Sequence, residues 1–301
     1  MIGKKTWQRV DGVLLLDKST GMTSNSALQA ARRFFSAAKA GHTGTLDPLA
    51  SGLLPLCFGD ATKFAVDLLA ADKTYEADLL FGIRTDTGDA DGTVIMRCPV
   101  DFGLCELEAA LPSFAGRIRQ IPPMYSALKR DGKPLYDLAR QGIEVEREAR
   151  EVTIHELCLI DFAADRCRLR ITCSKGTYIR TLAEDLGHAL RCTAHLTALR
   201  RTAVGSLRVA EAVTLDALAG LSEQDRAPWL QAPDILLQSL PAITLDDEAG
   251  RRFVHGNPVS LTAMPGKFRV YARNRLLGVG EVDDAGKLQP RRVVGTDPEG
   301  R

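Results

Sequence analysis

A single carboxylate in a glycine-rich segment is the first feature of this sequence that could do chemistry. Asp47 lies in the segment 41–52, GHTGTLDPLASG, and no other acidic residue occurs between Thr43 and Phe58. Because Asp47 precedes Pro48, its backbone is pushed toward an extended conformation. Two interpretations are open: the side chain bonds to its own turn, or it points into a cleft as a nucleophile or general base.

Arg180 is the predicted partner of this carboxylate. A buried carboxylate needs a paired charge to stay ionised, and the planar guanidinium of arginine can bind it through two hydrogen bonds. The alternative partner is Glu184, which lies at i+4 from Arg180 on the same predicted helix. Both pairings remain open from the sequence.

Two tyrosines and a histidine are candidates for contacts with an unpaired base. Tyr75 opens a predicted strand and Tyr178 opens a predicted helix. Either ring could be a half-buried core residue or a platform on which a base stacks. His42, beside the Asp47 segment, could enter a base stack or bond to the backbone of its loop.

The elements that must position these residues are predicted from apolar periodicity and turn residues. A helix is expected to begin at Thr23 or Ser24, which can cap it. The same reasoning predicts strands over 12–16, 75–81 and 167–173, and helices over 104–114 and 179–190. Tyr178 and Arg180 would then stand in the first turn of a helix that follows a strand and a Lys-Gly turn.

Two stretches differ in residue composition and pattern from the rest of the chain. Residues 120–150 mix proline, glycine and charge, which indicates an inserted excursion. After about Leu240, short β-type runs alternate with Gly, Pro and Asp turns. This pattern predicts a small β-rich terminal domain of roughly sixty residues.

Composition excludes several classes of protein. The 301 residues are 45% hydrophobic and 26% charged, which is ordinary for a globular chain. No apolar run of transmembrane length occurs, and residues 1–10 lack the apolar core of a signal peptide, so we expect a cytoplasmic protein. Seven cysteines without a CxxC pair, and scattered histidines, favour reduced thiols and no metal site.

The distribution of charge is more informative than the net charge of +1. Residues 166–208 carry nine Lys and Arg against two acidic residues, and residues 1–50 carry seven against three. Basic stretches that converge in the fold could follow a phosphate backbone. The alternative is a solvated charged surface.

Four ordered motifs resemble the TruB family of tRNA pseudouridine-55 synthases. They are the segment 41–55, Asp72–Tyr75, Gln120–Lys129 and Cys173–Arg180. Shorter matches occur within residues 13–24, 256–259 and 290–294. The resemblance covers nearly the whole chain.

This resemblance implies an α+β (mixed α/β) fold in two domains. The first, over residues 1–238, would be a pseudouridine-synthase catalytic domain around a long, mostly antiparallel sheet. The second, over residues 239–301, would be a PUA-like RNA-binding domain. A thumb-like insertion at about 123–150 would close on RNA.

The resemblance also implies an activity: isomerisation of uridine 55 in the T-loop of tRNA to pseudouridine, without cofactor or metal. Asp47 would be the nucleophile, attacking the ribose C1′ or assisting elimination at C2′. Arg180 would pair with Asp47, and Tyr75 would stack on the uracil as a candidate for proton transfer. Tyr178 and Leu199 would contact the flipped base, while His42 would occupy the space that the base leaves.

Four basic residues are candidates for contacts with the RNA backbone because of their charge and their positions in motifs: Lys18, Lys129, Lys175 and Arg201. The expected partner is the T-arm of tRNA. No obligatory protein partner is expected, and nothing in the sequence demands more than a monomer.

Two other functions are compatible with much of this pattern. A protein could bind the T-arm without modifying it, although Asp47, Tyr75 and Arg180 together argue against this, since binding a polyanion needs no carboxylate. A guide-RNA-dependent relative would work inside a multi-protein particle. The predicted insertion favours an enzyme that reads the tRNA by itself.

Overall fold

The computed structural model describes residues 6–130 and 132–295. The first five and last six residues of the predicted domains therefore lie outside the described residues. The described residues form one sheet of ten strands, one of five and two of two strands each. In the large sheet every strand pairing is antiparallel except one, which agrees with the predicted mixed α/β class and mostly antiparallel sheet.

The strands are β1 (Gly12–Lys18), β2 (Ala40–His42), β3 (Ser51–Phe58), β4 (Lys73–Phe81), β5 (Ile83–Thr85), β6 (Val94–Arg97), β7 (Gly116–Gln120), β8 (Lys129–Arg130), β9 (Lys133–Pro134), β10 (Arg150–Ala163), β11 (Arg166–Cys173), β12 (Ala194–Val204), β13 (Leu207–Arg208), β14 (Leu230–Gln231), β15 (Ala242–Thr244), β16 (Val259–Ser260), β17 (Gly266–Ala272), β18 (Arg275–Val282) and β19 (Lys287–Val293). The helices are α1 (Ser24–Phe34), α2 (Ala65–Leu69), α3 (Leu104–Ala110), α4 (Leu135–Arg140), α5 (Ile179–Ala189), α6 (Leu215–Ala219), α7 (Glu223–Arg226) and α8 (Asp247–Val254).

Most predicted elements are present, with small differences at their ends. Helix α1 begins after Thr23, whose hydroxyl accepts a hydrogen bond from Ser26 N at 3.0 Å. The predicted helix over 104–114 is helical only to Ala110 and tightens to a 3₁₀ turn that contains Pro112. Proline has no N–H to continue the α-helical hydrogen bonds.

The structure adds strand β3, which apolar alternation did not indicate. Leu54 packs on one side of the sheet and Leu53 on the other, so β3 is apolar on both faces and its sequence does not alternate. The segment predicted as a loop over 41–52 is therefore irregular only over 43–50, since its ends belong to β2 and β3. We call residues 43–50 the Asp47 segment.

The parallel pairing joins β3 to β12 at the centre of the large sheet. Eight of its strands follow the order β14-β1-β3-β12-β4-β11-β10-β7, while β2 also pairs with β3 and β13 with β12. Gly52 pairs with Arg201. Gly52 has a φ of +100°, and a Cβ there would lie 2.3 Å from the carbonyl oxygen of Arg201. Only glycine allows both this backbone conformation and this close approach.

The predicted insertion corresponds to an excursion between β7 and β10. The chain leaves the sheet after Gln120 and returns at Arg150, and these two residues are partners in the β7–β10 ladder. Between them lie the β8–β9 hairpin and helix α4. We call residues 121–149 the insertion.

The five-stranded sheet, in the order β15-β17-β18-β19-β16, forms the β-rich C-terminal region. Helix α8 packs on it through Phe253, which is fully buried beside Val270 and Leu288. This agrees with the predicted β-rich terminal domain. No helix in the described parts of the chain has the length and apolar character needed to cross a membrane.

Candidate active site

A cavity of about 280 Å³ opens between the Asp47 segment, strands β4 and β12, and the start of α5. Seven of the predicted site residues line it: Asp47, Tyr75, Lys175, Tyr178, Arg180, Leu199 and Arg201. They come from four separate stretches of the sequence, so the fold brings them together. The other three, His42, Lys18 and Lys129, lie outside its lining.

Hydrogen bonds from its neighbours hold the Asp47 segment in shape. The hydroxyl of Ser24, at the start of α1, accepts from Leu46 N at 2.8 Å and donates to Leu46 O at 2.9 Å. The carbonyl of Asp47 accepts from Ala50 N at 3.1 Å and closes a turn. The main chain therefore makes the turn, and the half-exposed carboxylate faces the cavity.

The carboxylate of Asp47 pairs with Arg180. Arg180 Nη2 lies 2.9 Å from Asp47 Oδ2, and the arginine side chain is only 7% exposed. The alternative partner, Glu184, lies 3.4 Å from Arg84 instead. Of the two pairings left open by the sequence, the structure contains the one with Asp47.

Arg180 is also held from three other directions. Its Nη1 donates to Thr87 O at 2.9 Å and its Nη2 donates to Tyr125 O at 2.8 Å. Its Nε lies 3.7 Å from the carboxylate of Asp89, which is as buried as Arg180 itself. A guanidinium with several fixed partners has little freedom to leave Asp47, so the ion pair is held in place.

Asp89 is a site residue that the sequence did not single out. Its carboxylate accepts from Thr87 Oγ1 at 2.6 Å and from Asp91 N at 3.2 Å, which fixes it against Arg180. The loop 84–92 contains three acidic residues, and their spacing does not distinguish one from another. Only the packing of this loop on α5 reveals which carboxylate is buried.

Tyr75 and Leu199 form one wall of the cavity. They lie on the neighbouring strands β4 and β12, where Tyr75 pairs with Arg201 and Leu199 with Ala77. Both side chains pack between the two main apolar clusters of the large sheet. Burial raises the pKa of the Tyr75 phenol, so the hydroxyl is protonated at neutral pH.

Tyr178, the N-cap residue of α5, also lines the cavity. Gln120 Oε1 accepts from Tyr178 N at 3.0 Å, and Gln120 Nε2 donates to Tyr178 O at 3.2 Å. Burial raises the pKa of the Tyr178 phenol as well. The predicted residues thus give the cavity lining two aromatic rings, the side chain of Leu199 and one ion pair.

Comparison with known sequences identifies the family. The profile described as "TruB family pseudouridylate synthase (N terminal domain)" matches residues 32–179. The profile "tRNA pseudouridylate synthase B C-terminal domain" matches residues 180–238, and "Pseudouridine synthase II TruB, C-terminal" matches residues 241–294. A protein of Dechloromonas aromatica named tRNA pseudouridine synthase B is 60% identical over 292 residues, 97% of this chain and 98% of that protein. The chain belongs to the TruB family of pseudouridylate synthases.

Other relatives agree with this TruB assignment. A protein of Burkholderia lata with the same name is 56% identical over 95% of this chain and 91% of its own length. Solved structures share the fold. The structure titled "Structure of H/ACA RNP bound to a substrate RNA containing 2'-deoxyuridine" has a TM-score of 0.72 at 22% identity, over 95% of this chain and 85% of that chain. TruB enzymes are isomerases, so this chain is identified as an enzyme.

Three of the remaining predicted residues of this TruB chain lie near the surface. His42 ends β2 and is half-buried, and burial followed by the charge of Arg201 lowers the pKa of its imidazole. Its ring is therefore neutral at pH 7. Lys129 in β8 and Lys175 in the turn before α5 are exposed, and Lys175 stands at the cavity.

Lys18 and Arg201, which were predicted to contact RNA phosphates, are both buried. Lys18 is 0% exposed and Arg201 is 1% exposed. Lys18 Nζ donates to Met22 O at 2.8 Å, and Arg201 donates to Leu53 O at 2.7 Å and to Gly44 O at 3.1 Å. These two cations support the Asp47 segment from beneath, because buried donors must find acceptors in the protein.

A third buried cation, Lys73, lies at the floor of the same cavity. Its Nζ donates to Leu69 O at 2.8 Å and to Ala71 O at 2.5 Å. Burial lowers the pKa of Lys73 to about 8 and that of Lys18 to about 8. At pH 7 both remain charged, so Lys73 contributes positive charge to the cavity and Lys18 contributes it beneath the Asp47 segment.

Within residues 6–130 and 132–295, no group of three or more His, Cys, Asp or Glu side chains is placed to hold a metal ion.

Proposed function

We propose that this protein converts uridine 55 in the T-loop of tRNA to pseudouridine, with Asp47 as the nucleophile and without a cofactor. The observation that carries this proposal is the 2.9 Å ion pair between Asp47 and Arg180 in a cavity lined by Tyr75 and Tyr178. Relatives at 55–60% identity are named tRNA pseudouridine synthase B, which supports tRNA as the substrate.

The reaction needs no external reactant. The N1–C1′ bond breaks, the uracil rotates, and a C5–C1′ bond forms; C5 then loses its proton and N1 gains one. A carboxylate suits this sequence because it can attack C1′ and later leave, or it can take the proton from C2′ and return it. Arg180 pairs with the Asp47 carboxylate at 2.9 Å and would hold it in place for either route.

The target uridine must leave the folded T-loop before this chemistry, and its extrusion requires a free energy of roughly a few kcal/mol. In the proposal, Tyr75 stacks on the extruded uracil while Tyr178 and Leu199 contact it from the sides, which offsets part of that free energy. His42 enters the space left in the loop. Its neutral imidazole favours stacking, since a neutral ring loses little hydration on burial.

The remaining expectations belong to the same proposal. Lys129 and Lys175 contact phosphates, the insertion closes on the RNA, and the C-terminal region acts as a PUA-like RNA-binding domain with a boundary near residue 239. The protein acts as a cytoplasmic monomer without a guide RNA. The 97% coverage by a relative named for tRNA, rather than for a particle, supports independent action.

The test uses an unmodified tRNA transcript with the wild type and with Asp47→Asn, followed by chemical mapping of pseudouridine through reverse-transcription stops. We expect a stop at position 55 with the wild type alone, while both proteins bind the transcript. A wild type that binds but leaves the transcript unmodified would favour a T-arm-binding protein. Pseudouridine formation by Asp47→Asn would show that Asp47 is not the nucleophile.

The role of the Tyr75 hydroxyl is tested separately. Tyr75→Phe keeps the aromatic ring and removes the only group of this residue that can move a proton. If the hydroxyl transfers a proton, single-turnover conversion should fall by roughly 100-fold or more, while tRNA affinity stays near that of the wild type. Near-normal conversion would leave Tyr75 as a stacking platform only.

A further inference from the structure

Gln120 occupies the junction between the insertion and the cavity. It is the last residue of β7, immediately before the insertion, and its partner in the ladder, Arg150, is the first residue after it. The side chain of Gln120 is 2% exposed. A buried amide at this junction must have its hydrogen bonds satisfied inside the protein.

Both hydrogen bonds of this amide go to one residue, Tyr178. Gln120 Oε1 accepts from Tyr178 N at 3.0 Å, and Gln120 Nε2 donates to Tyr178 O at 3.2 Å. Tyr178 precedes the first turn of α5 with φ of −103° and ψ of 109°. Its C=O also accepts from Leu182 N of α5 at 3.1 Å, but its N–H has no partner within the helix and is bonded by Gln120.

Two further contacts join the start of the insertion to α5. Arg180 Nη2 donates to Tyr125 O at 2.8 Å, and this same nitrogen pairs with Asp47. Thr181 Oγ1 reaches Ile121 O at 3.5 Å. The first residues of the insertion therefore share their contacts with the side chains that line the cavity.

We propose that Gln120 is a positioning residue that links the insertion to the catalytic cavity by fixing the backbone of Tyr178. Gln120 does not line the cavity, so it acts through the Tyr178 ring. This inference rests on the proposed function. A displacement of the insertion by bound RNA would move Gln120, and with it the ring that contacts the flipped base.

The test compares Gln120→Met with the wild type in single-turnover assays on tRNA. Methionine has a similar length and is apolar, so it removes both hydrogen bonds with little change of shape. We expect the saturating rate to fall roughly 10- to 100-fold, as for a misplaced active-site group, with tRNA affinity within about threefold of the wild type. Gln141→Met is the matched control, because Gln141 is an exposed glutamine of the insertion that bonds only locally, to Asp137 O at 2.9 Å.

A double-mutant cycle separates positioning from general stability. In a Tyr178→Ala background the ring is absent, so Gln120→Met should change the rate by less than about threefold. An equal loss in both backgrounds, or a loss of affinity at an unchanged rate, would overturn the proposal. If Gln120→Met does not fold, Gln120→Glu replaces it, because glutamate keeps one of the two hydrogen bonds. Its rate loss is compared in the wild-type and Tyr178→Ala backgrounds, and an equal loss in both would again overturn the proposal.

This design also separates the inference from the activity on which it rests. If the wild type forms no pseudouridine, the proposed function fails whatever Gln120 does. If the wild type is active and Gln120→Met is equally active, only the role of Gln120 is overturned.

Discussion

Arg180 interacts with two carboxylates, those of Asp47 and Asp89. Asp47 accepts one end of the guanidinium at 2.9 Å, and Asp89 lies 3.7 Å from its Nε. Since Asp89 is buried and held by Thr87, it fixes the direction of Arg180 without reaching the cavity lining. A carboxylate in this place orients the cation that pairs with Asp47.

We predict that Asp89→Asn lowers the single-turnover rate of pseudouridine formation by roughly 10- to 100-fold and leaves tRNA affinity nearly unchanged. The amide keeps the shape of the side chain but removes the charge that faces Arg180. Asp91→Asn, an exposed change in the same loop, should behave as the wild type. Equal rates for Asp89→Asn and the wild type would exclude this role.

Lys73 gives the folded protein a dependence of stability on pH. Burial lowers its pKa to about 8 from 10.5. Between these values the unfolded chain binds more protons than the folded chain, so the folded form gains stability as the pH rises. Relative to Lys73→Met, the free energy of unfolding of the wild type should increase by about 2 kcal/mol from pH 7 to pH 10.

Denaturant titrations at the two pH values measure this difference. The exposed Lys39→Met variant is the control, and its difference from the wild type should stay constant. A wild type that loses stability relative to Lys73→Met as the pH rises would contradict the prediction, because it would require a raised pKa for Lys73 in the folded state.

At the scale of elements, the parallel contact of β3 with β12 determines where the Asp47 segment ends. Gly52→Ala would place a Cβ 2.3 Å from the Arg201 carbonyl at a φ of +100°. The two strands must separate, so we predict a loss of about 3 kcal/mol in the free energy of unfolding and loss of activity. Gly41→Ala is the matched control, because its nearest neighbour is a methyl group at 3.9 Å.

Thermal and denaturant unfolding of both variants measure the effect. Since Arg201 also donates to Gly44 O and Leu53 O, which lie on either side of Asp47 in the sequence, the damage should extend to Asp47. If Gly52→Ala were as stable and active as Gly41→Ala, the close approach of β3 to β12 would not matter for the site.

The elements also show which parts of the site could be predicted from sequence. Asp47, Tyr75 and Arg180 belong to contiguous strings whose residue types have a chemical meaning by themselves. Gln120 and Asp89 act only through partners distant in sequence; Gln120 lies 58 residues from Tyr178. The sequence shows neither such pairs nor burial, which is why Asp89 was missed and the burial of Lys18 was not predicted.

At the scale of the whole molecule, the C-terminal sheet is fixed against the large one. Arg292 donates to both carboxylate oxygens of Asp67 at 2.6 and 3.0 Å, and Lys63 Nζ donates to Val293 O at 3.0 Å. Val279 of β18 is buried in the apolar cluster that contains β1 residues. The basic residues of both parts therefore keep fixed positions relative to each other.

A fixed basic surface should give tRNA binding a measurable dependence on salt. We predict that Lys175→Ala, and likewise Lys129→Ala, reduces the slope of log affinity against log salt concentration by about 1. Both residues are exposed. Lys175→Arg keeps the charge and should keep the slope. An unchanged slope for Lys175→Ala would show that Lys175 does not contact a phosphate.

The support of the Asp47 segment has a consequence for the order of events on the ribosome. Arg201 follows Leu53, to which it donates, by 148 residues. At about 10 residues per second, the Asp47 segment is in the growing chain for about 15 seconds before the strand that supports it has been made. An incomplete chain that ends before β12 thus carries Asp47, Tyr75 and Arg180 but has no completed cavity, and activity begins only when the last central strand has been made.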